Sequence, residues 1–227
     1  MTQGSEATRM IIFRRLSDPI IVRPAWFCVV LLMFAGLYGC GSKIPPTNYY
    51  VLEFPQAPRA QIGTGHASVV VMPFRASPML MQGRIVYRPA SGQVGFYEYH
   101  RWAEDPRQTI TSTLIGRLQA LQTFEAVVPF DGRTKADYIL QGRIEKLEEV
   151  DFDGGVKVNV KLSVEVISFD ERKPVWQGVS EQTGQVVVGE VSAVVTEMSR
   201  AALAGLDKLS ADLDRWFRAN ITPSTLE

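Results

Sequence analysis

The clearest periodicity in the chain lies at Val156–Val166. Val156, Val158, Val160, Leu162, Val164 and Val166 are apolar, and Lys157, Asn159, Lys161, Ser163 and Glu165 alternate with them. Period two over eleven residues predicts a strand with one wet face. The turn Asp153-Gly154-Gly155 pairs it, as an antiparallel hairpin, with a long strand at Asp137–Val150. There Tyr138, Leu140 and Ile144 share a face, and the alternation slips around Leu147, which predicts a bulge. After a turn at Asp170–Pro174, Val175–Val188 reads as a weaker strand. From Gly189 to Asn220 the period becomes helical. Val191, Val194, Val195, Met198, Ala202, Leu206, Leu209, Leu213, Trp216 and Phe217 recur every three or four residues. Glu197, Arg200, Lys208, Asp212 and Arg215 take the other side. This helix, about 40 Å long over Val191–Phe217, is expected to dock across one sheet face. A partner subunit is the other possible cover for part of its stripe.

Upstream, the pattern gives strands at Tyr49–Phe54, Ala67–Phe74, Gly83–Arg88, Gly95–Tyr99 and Phe124–Phe130. Pro55–Gly65 and Arg75–Gly83 read as loops. Asp105 is an N-cap, Pro106 suits the first helical position, and Gln108 completes a capping box. The helix runs to about Leu121, with Ile110, Leu114, Leu118 and Leu121 on one face, joined by Ile115. Strands, helix, strands, helix, with no βαβ repeat, predict an α+β fold. Its antiparallel or mixed β-sheet is covered by two main α-helices. Phe96-Tyr97-Glu98-Tyr99 and Trp102 are expected in the core. Met79, Leu80 and Met81 are candidate contacts for a partner or a lipid, because methionine adapts to variable surfaces. The alternative is that the loop tucks them under itself.

The amino-terminal stretch Ala25–Cys40, AWFCVVLLMFAGLYGC, follows Arg14, Arg15 and Arg23. Its thirteen mostly apolar residues, Ala25–Leu37, fall short of a membrane span. The layout resembles a bacterial lipoprotein signal. Tyr38 departs from that pattern, where a small residue is usual. The resemblance implies cleavage before Cys40, with a diacylglycerol on the sulfur and added acyl (palmitate-type) lipid. Gly41, where an aspartate would favour the inner membrane, points to the outer membrane. Residues 1–39 are then the signal peptide, 40–48 an acylated tether, 49–221 a single domain and 222–227 a tail.

The chain has 24 basic and 24 acidic residues. The signal removes four and two of them, which leaves 20 against 22, a net charge of −2. No basic field exists to bind nucleic acid or to grip an anionic surface. Cys28 and Cys40 are the two cysteines, so the body has no disulfide pair and no cysteine–histidine zinc site. His66 and His100 are the two histidines, and no GxSxG, HExxH, P-loop or GxGxxG is present. No catalytic residue, metal ligand or cofactor site is therefore predicted. The acidic run Glu148, Glu149, Asp151 and Asp153 reads as solvated charge around a hairpin tip.

Four motifs stand in a fixed order behind the lipobox: Tyr49-Tyr50-Val51-Leu52, Val69–Phe74 (VVVMPF), Arg84–Arg88 (RIVYR) and Tyr99–Pro106 (YHRWAEDP). Together they resemble the ABC-type transport auxiliary lipoproteins. Pro106 departs slightly from the family pattern and leaves the helix start intact. The resemblance implies a fold like the amino-terminal domain of TolB and no catalysis. It implies structural roles for Tyr50, Pro73, Tyr87, Arg88, Arg101 and Trp102. It also implies a periplasmic place beside an ABC permease and ATPase and an MCE-domain protein, which move phospholipids or other hydrophobic molecules. Two rivals are a carrier with its own acyl cavity and a general outer-membrane assembly lipoprotein. Homo-oligomerisation stays open.

Overall fold

The computed structural model describes residues 44–55, 65–152, 154–187 and 189–220. Cys40, the signal and the carboxy-terminal tail lie outside the described residues. Among the described residues there are nine strands and two long helices: β1 (Asn48–Tyr50), β2 (Ser68–Val71), β3 (Arg75–Ala76), β4 (Arg84–Arg88), β5 (Gly95–Trp102), α1 (Pro106–Leu121), β6 (Ala126–Pro129), β7 (Tyr138–Val150), β8 (Lys157–Ser168), β9 (Pro174–Gln185) and α2 (Val191–Asn220).

All nine strands form one mixed sheet around β7. One edge of β7 pairs antiparallel with β8 from Tyr138↔Ser168 to Val150↔Lys157. β9 then adds to β8, also antiparallel. The other edge of β7 carries three short parallel strands in succession, β2, β3 and β4. Beyond them, β6 pairs parallel with β2. β5 pairs antiparallel with β4, and β1 parallel with β5. The fold is thus α+β with a mixed sheet and two helices, as the periodicity predicts.

Val158, Val160, Leu162, Val164 and Val166 are all buried, together with Leu140, Ile144 and Leu147 of β7. α2 lays Val194, Val195, Met198, Ala202, Leu206, Leu209 and Leu213 on them. At Gly205 the gap between helix and sheet is about a methyl group wide, bounded by Leu162 and Ser180. Ile110, Leu114 and Leu118 of α1 join the same core. Each such side chain stabilises by roughly 1.5–3 kcal/mol of apolar burial. Gly142, opposite Val164, is flat because the ring of Phe74 lies on it.

Several boundaries differ from the sequence expectation. β1 stops at Tyr50, and residues 51–55 run on without a ladder. β2 stops at Val71, just ahead of Pro73, which has no N–H to offer. Within the expected loop Arg75–Gly83, Arg75 and Ala76 pair with β7, and Leu80–Gln82 form a 3₁₀ turn. The capping box is not formed as expected. Asp105 Oδ1 accepts from the Arg107 N–H at 2.9 Å, while Gln108 N–H donates to the Asp105 backbone oxygen.

The bulge on β7 falls between Ile144 and Lys146. It returns Leu147 to the core side and carries Glu149 there too, opposite the fully buried Val158. Glu148 takes the other face. Glu148 and Glu149 are therefore 2% and 4% exposed, not solvated as their sequence context suggests. The register of the bulge overrides the local polarity. Arg88 Nε pairs with Glu148 at 2.7 Å, and the Tyr97 hydroxyl donates to Glu149 at 2.9 Å. Burial pushes the Glu149 carboxyl above its ordinary value, partly offset by the Tyr97 hydrogen bond.

Gly142→Ala would set a Cβ 2.3 Å from the Phe74 ring. It should cost about 1–3 kcal/mol in urea unfolding, with the fold retained by circular dichroism. For Glu149, the native state holds its proton to higher pH than the unfolded chain does. Its contribution is full below the unfolded value and is lost as pH rises through the folded one. Glu149→Gln, which keeps an acceptor for Tyr97, should remove that decline. It should raise stability at pH 8 by about 1 kcal/mol and change little at pH 4, as read by urea midpoints across pH.

Candidate functional site

The expected contact residues sit on a tight turn after β3. Leu80 N–H donates to Ser77 O at 3.0 Å and Met81 N–H to Pro78 O at 3.2 Å. Gly83, at φ +69°, closes the turn in the left-handed region. The three side chains are not equivalent. Met79 and Leu80 are half-buried, Leu80 against the core, and Met81 is 50% exposed. Of the three candidate contacts, Met81 is the most open, while the 3₁₀ turn folds Leu80 against the core.

This turn meets the YHRWAEDP motif. Trp102 N–H donates to Gly83 O at 2.9 Å, and Ala103 N–H to Tyr50 O at 2.8 Å. Leu80, Met81, Gly83, Trp102 and Ala103–Pro106 line a cleft of about 170 Å³. Arg107 forms its rim. Its Nε bridges both Asp105 oxygens at 3.0 and 2.9 Å, and its Nη1 reaches Met81 Sδ at 3.4 Å. The Arg107 side chain holds the Asp105 carboxyl below its usual value. The cleft therefore pairs an apolar, polarisable floor with the Asp105–Arg107 ion pair.

Tyr50, Tyr87, Arg88, Arg101 and Trp102 gather on the same flank of the sheet, β1–β5–β4. The Tyr50 hydroxyl and His100 Nδ1 share a hydrogen bond of 2.9 Å, with the rings stacked. Tyr97 packs edge-on to His100 and against Tyr87, and its hydroxyl ends on Glu149. Burial, then Glu149, pushes the Tyr97 phenol above its ordinary range. Arg88 holds Glu148. Pro73 is exposed just past β2, Trp102 is buried, and Arg101 is half-buried in β5. The Tyr97–Glu149 link and the Arg107 clamp were missed from sequence. Asp105-x-Arg107 ahead of a helix was the available signal for the second. His66 is exposed, and among the described residues no group of three or more His, Cys, Asp or Glu is placed to hold a metal ion. Nor, among them, is any helix long and apolar enough to cross a membrane.

The family model of the ABC-type transport auxiliary lipoprotein component matches residues 50–210. In fold, the chain is similar to a crystal structure from Xanthomonas campestris, with a TM-score of 0.68 at 14% identity, covering 77% of this chain and 99% of that one. It is also similar to the crystal structure of an uncharacterized protein, with a TM-score of 0.57 at 15% identity, covering 76% and 99%. No curated protein matches the chain. Matched over residues 50–210, which hold the cleft and all of the sheet but Asn48 and Tyr49, the chain belongs to the ABC-type transport auxiliary lipoprotein component family.

Proposed function

We propose that this protein is a non-catalytic, periplasmic auxiliary component of an ABC/MCE-type transporter that moves phospholipids or other hydrophobic molecules across the envelope. The observation that carries this reading is the family match across residues 50–210. Lipid on Cys40 holds the protein to the outer membrane. One acyl chain binds marginally, whereas several anchor stably. The body docks on the MCE-domain protein, beside the permease and ATPase, and the anchor raises the local concentration of the assembly. The Met81–Trp102 cleft is the docking contact. It offers an adaptable thioether over a buried aromatic, with the Asp105–Arg107 pair to orient a partner's polar group. More than one copy can serve a single partner, and size measurement on the intact complex reads that number.

Cys40→Ser should release the protein from the outer-membrane fraction, and retention at normal levels would end the anchoring part of the reading. Met81→Ser, at a half-exposed site, should shift stability by no more than about 0.5 kcal/mol and reduce in-cell cross-linking to the MCE protein. Leu80→Ala should instead cost about 2 kcal/mol, because Leu80 packs on the core. Undiminished cross-linking in folded Met81→Ser would remove the cleft from the docking surface.

A further inference from the structure

One row of residues crosses the edge of the sheet nearest the tether. Tyr49 on β1 stands opposite Arg101 on β5, and Arg101 stands opposite Arg84 on β4. Directly opposed residues share a face, with Cβ atoms about 5 Å apart. Their neighbours Tyr50 and Trp102 take the core side, which puts this row on the other face. Two like charges directly opposite each other destabilise a sheet. Here both arginines are also half-buried, and neither side chain has an ion pair or a hydrogen bond to any described residue. Elsewhere in the body a half-buried arginine is paired, as Arg88 is with Glu148 and Arg107 with Asp105. Two adjacent guanidinium forks without an acceptor make a seat for an anion with several oxygens.

What surrounds the pair selects the anion. Tyr49 is 65% exposed, an aromatic side chain bare beside the charges. Tyrosine with arginine is the composition of a membrane–water interface. The chain upstream of the described residues enters here. Cys40 lies nine residues before Tyr49, a reach of at most about 30 Å. A membrane that holds Cys40 is therefore within reach of this row. The body as a whole, at net charge −2, has no general attraction to an anionic surface, so a local seat is what can set its orientation.

We propose that Arg84 and Arg101 clasp a phospholipid phosphate, and that with Tyr49 in the interface they lay the body on the membrane that carries its tether. This rests on the anchoring at Cys40 proposed above. It fixes which flank faces the lipid and leaves the opposite end of the β7–β8 ladder pointing away.

The test uses the full-length acylated protein in phosphatidylglycerol-containing vesicles with spin-labelled lipids. Tyr49→Cys, or Asp170→Cys in the β8–β9 turn at the far end of the ladder, carries a fluorophore. Quenching should be several-fold stronger at position 49 than at position 170. Adding Arg84→Glu and Arg101→Glu should abolish the difference while the protein still floats with the vesicles. Equal quenching at the two positions in floating protein would overturn the proposal. So would a difference that survives charge reversal, or one that arises only when a partner protein is added. Failure of the anchor is read separately, as loss of flotation in the unsubstituted protein. The Arg84→Gln, Arg101→Gln pair guards against misfolding. Relief of like charge should leave the melting temperature unchanged or higher while the quenching difference is lost. A lower melting temperature would mean the pair is satisfied within the body, and would overturn the proposal.

Discussion

The structure depends on one strand serving two unlike edges. Along β7, one edge makes a continuous antiparallel ladder with β8, and the other is tiled by β2, β3 and β4. Those three strands are four, two and five residues long and are all parallel to β7. Parallel pairing is slightly weaker per residue and needs crossover chain between partners. None of the three could hold a register alone. The β7–β8 ladder, pressed under α2, supplies the fixed template on which they line up.

The bulge in β7 joins that template to the motif flank. One extra residue turns Glu149 toward the core and leaves Glu148 on the opposite face. Two adjacent buried carboxylates are expensive unless partnered. Arg88 and Tyr97 meet that demand from β4 and β5. Tyr87, Tyr97, His100 and Tyr50 then extend the contact, ring by ring, to β1. A networked flank of this kind loses more from one missing partner than a pairwise account suggests. Tyr50, Tyr87, Arg88 and Tyr97 are thus tied to what the bulge buries.

Legibility followed the origin of each element's stability. β8 and α2 read cleanly because each buries a face set by its own period. β3 did not, because two residues become a strand only through Arg143 and Ile144 of β7. Glu148 and Glu149 were misread because an acidic run beside Gly154 and Gly155 looks solvated, and only the register of a distant strand shows otherwise. Met79, Leu80 and Met81 were found by composition. Their division into one exposed and two half-buried side chains came from a 3₁₀ turn that no period announces. That Met81 and Trp102 share a cleft is a tertiary fact, made by the Gly83–Trp102 hydrogen bond.

The molecule therefore separates its tasks by region. The β8–α2 side is apolar and regular, which is what stability requires. The β1–β5–β4 side keeps groups that stability alone would not select: a bare tyrosine, two facing arginines without acceptors among the described residues, and a methionine held by an arginine beside a tryptophan. Departures from local rules are expected to gather where a protein serves a function. These departures share one flank, next to the end that leads to Cys40, and both contacts proposed above lie on it. The regular side then has the task of keeping that flank rigid.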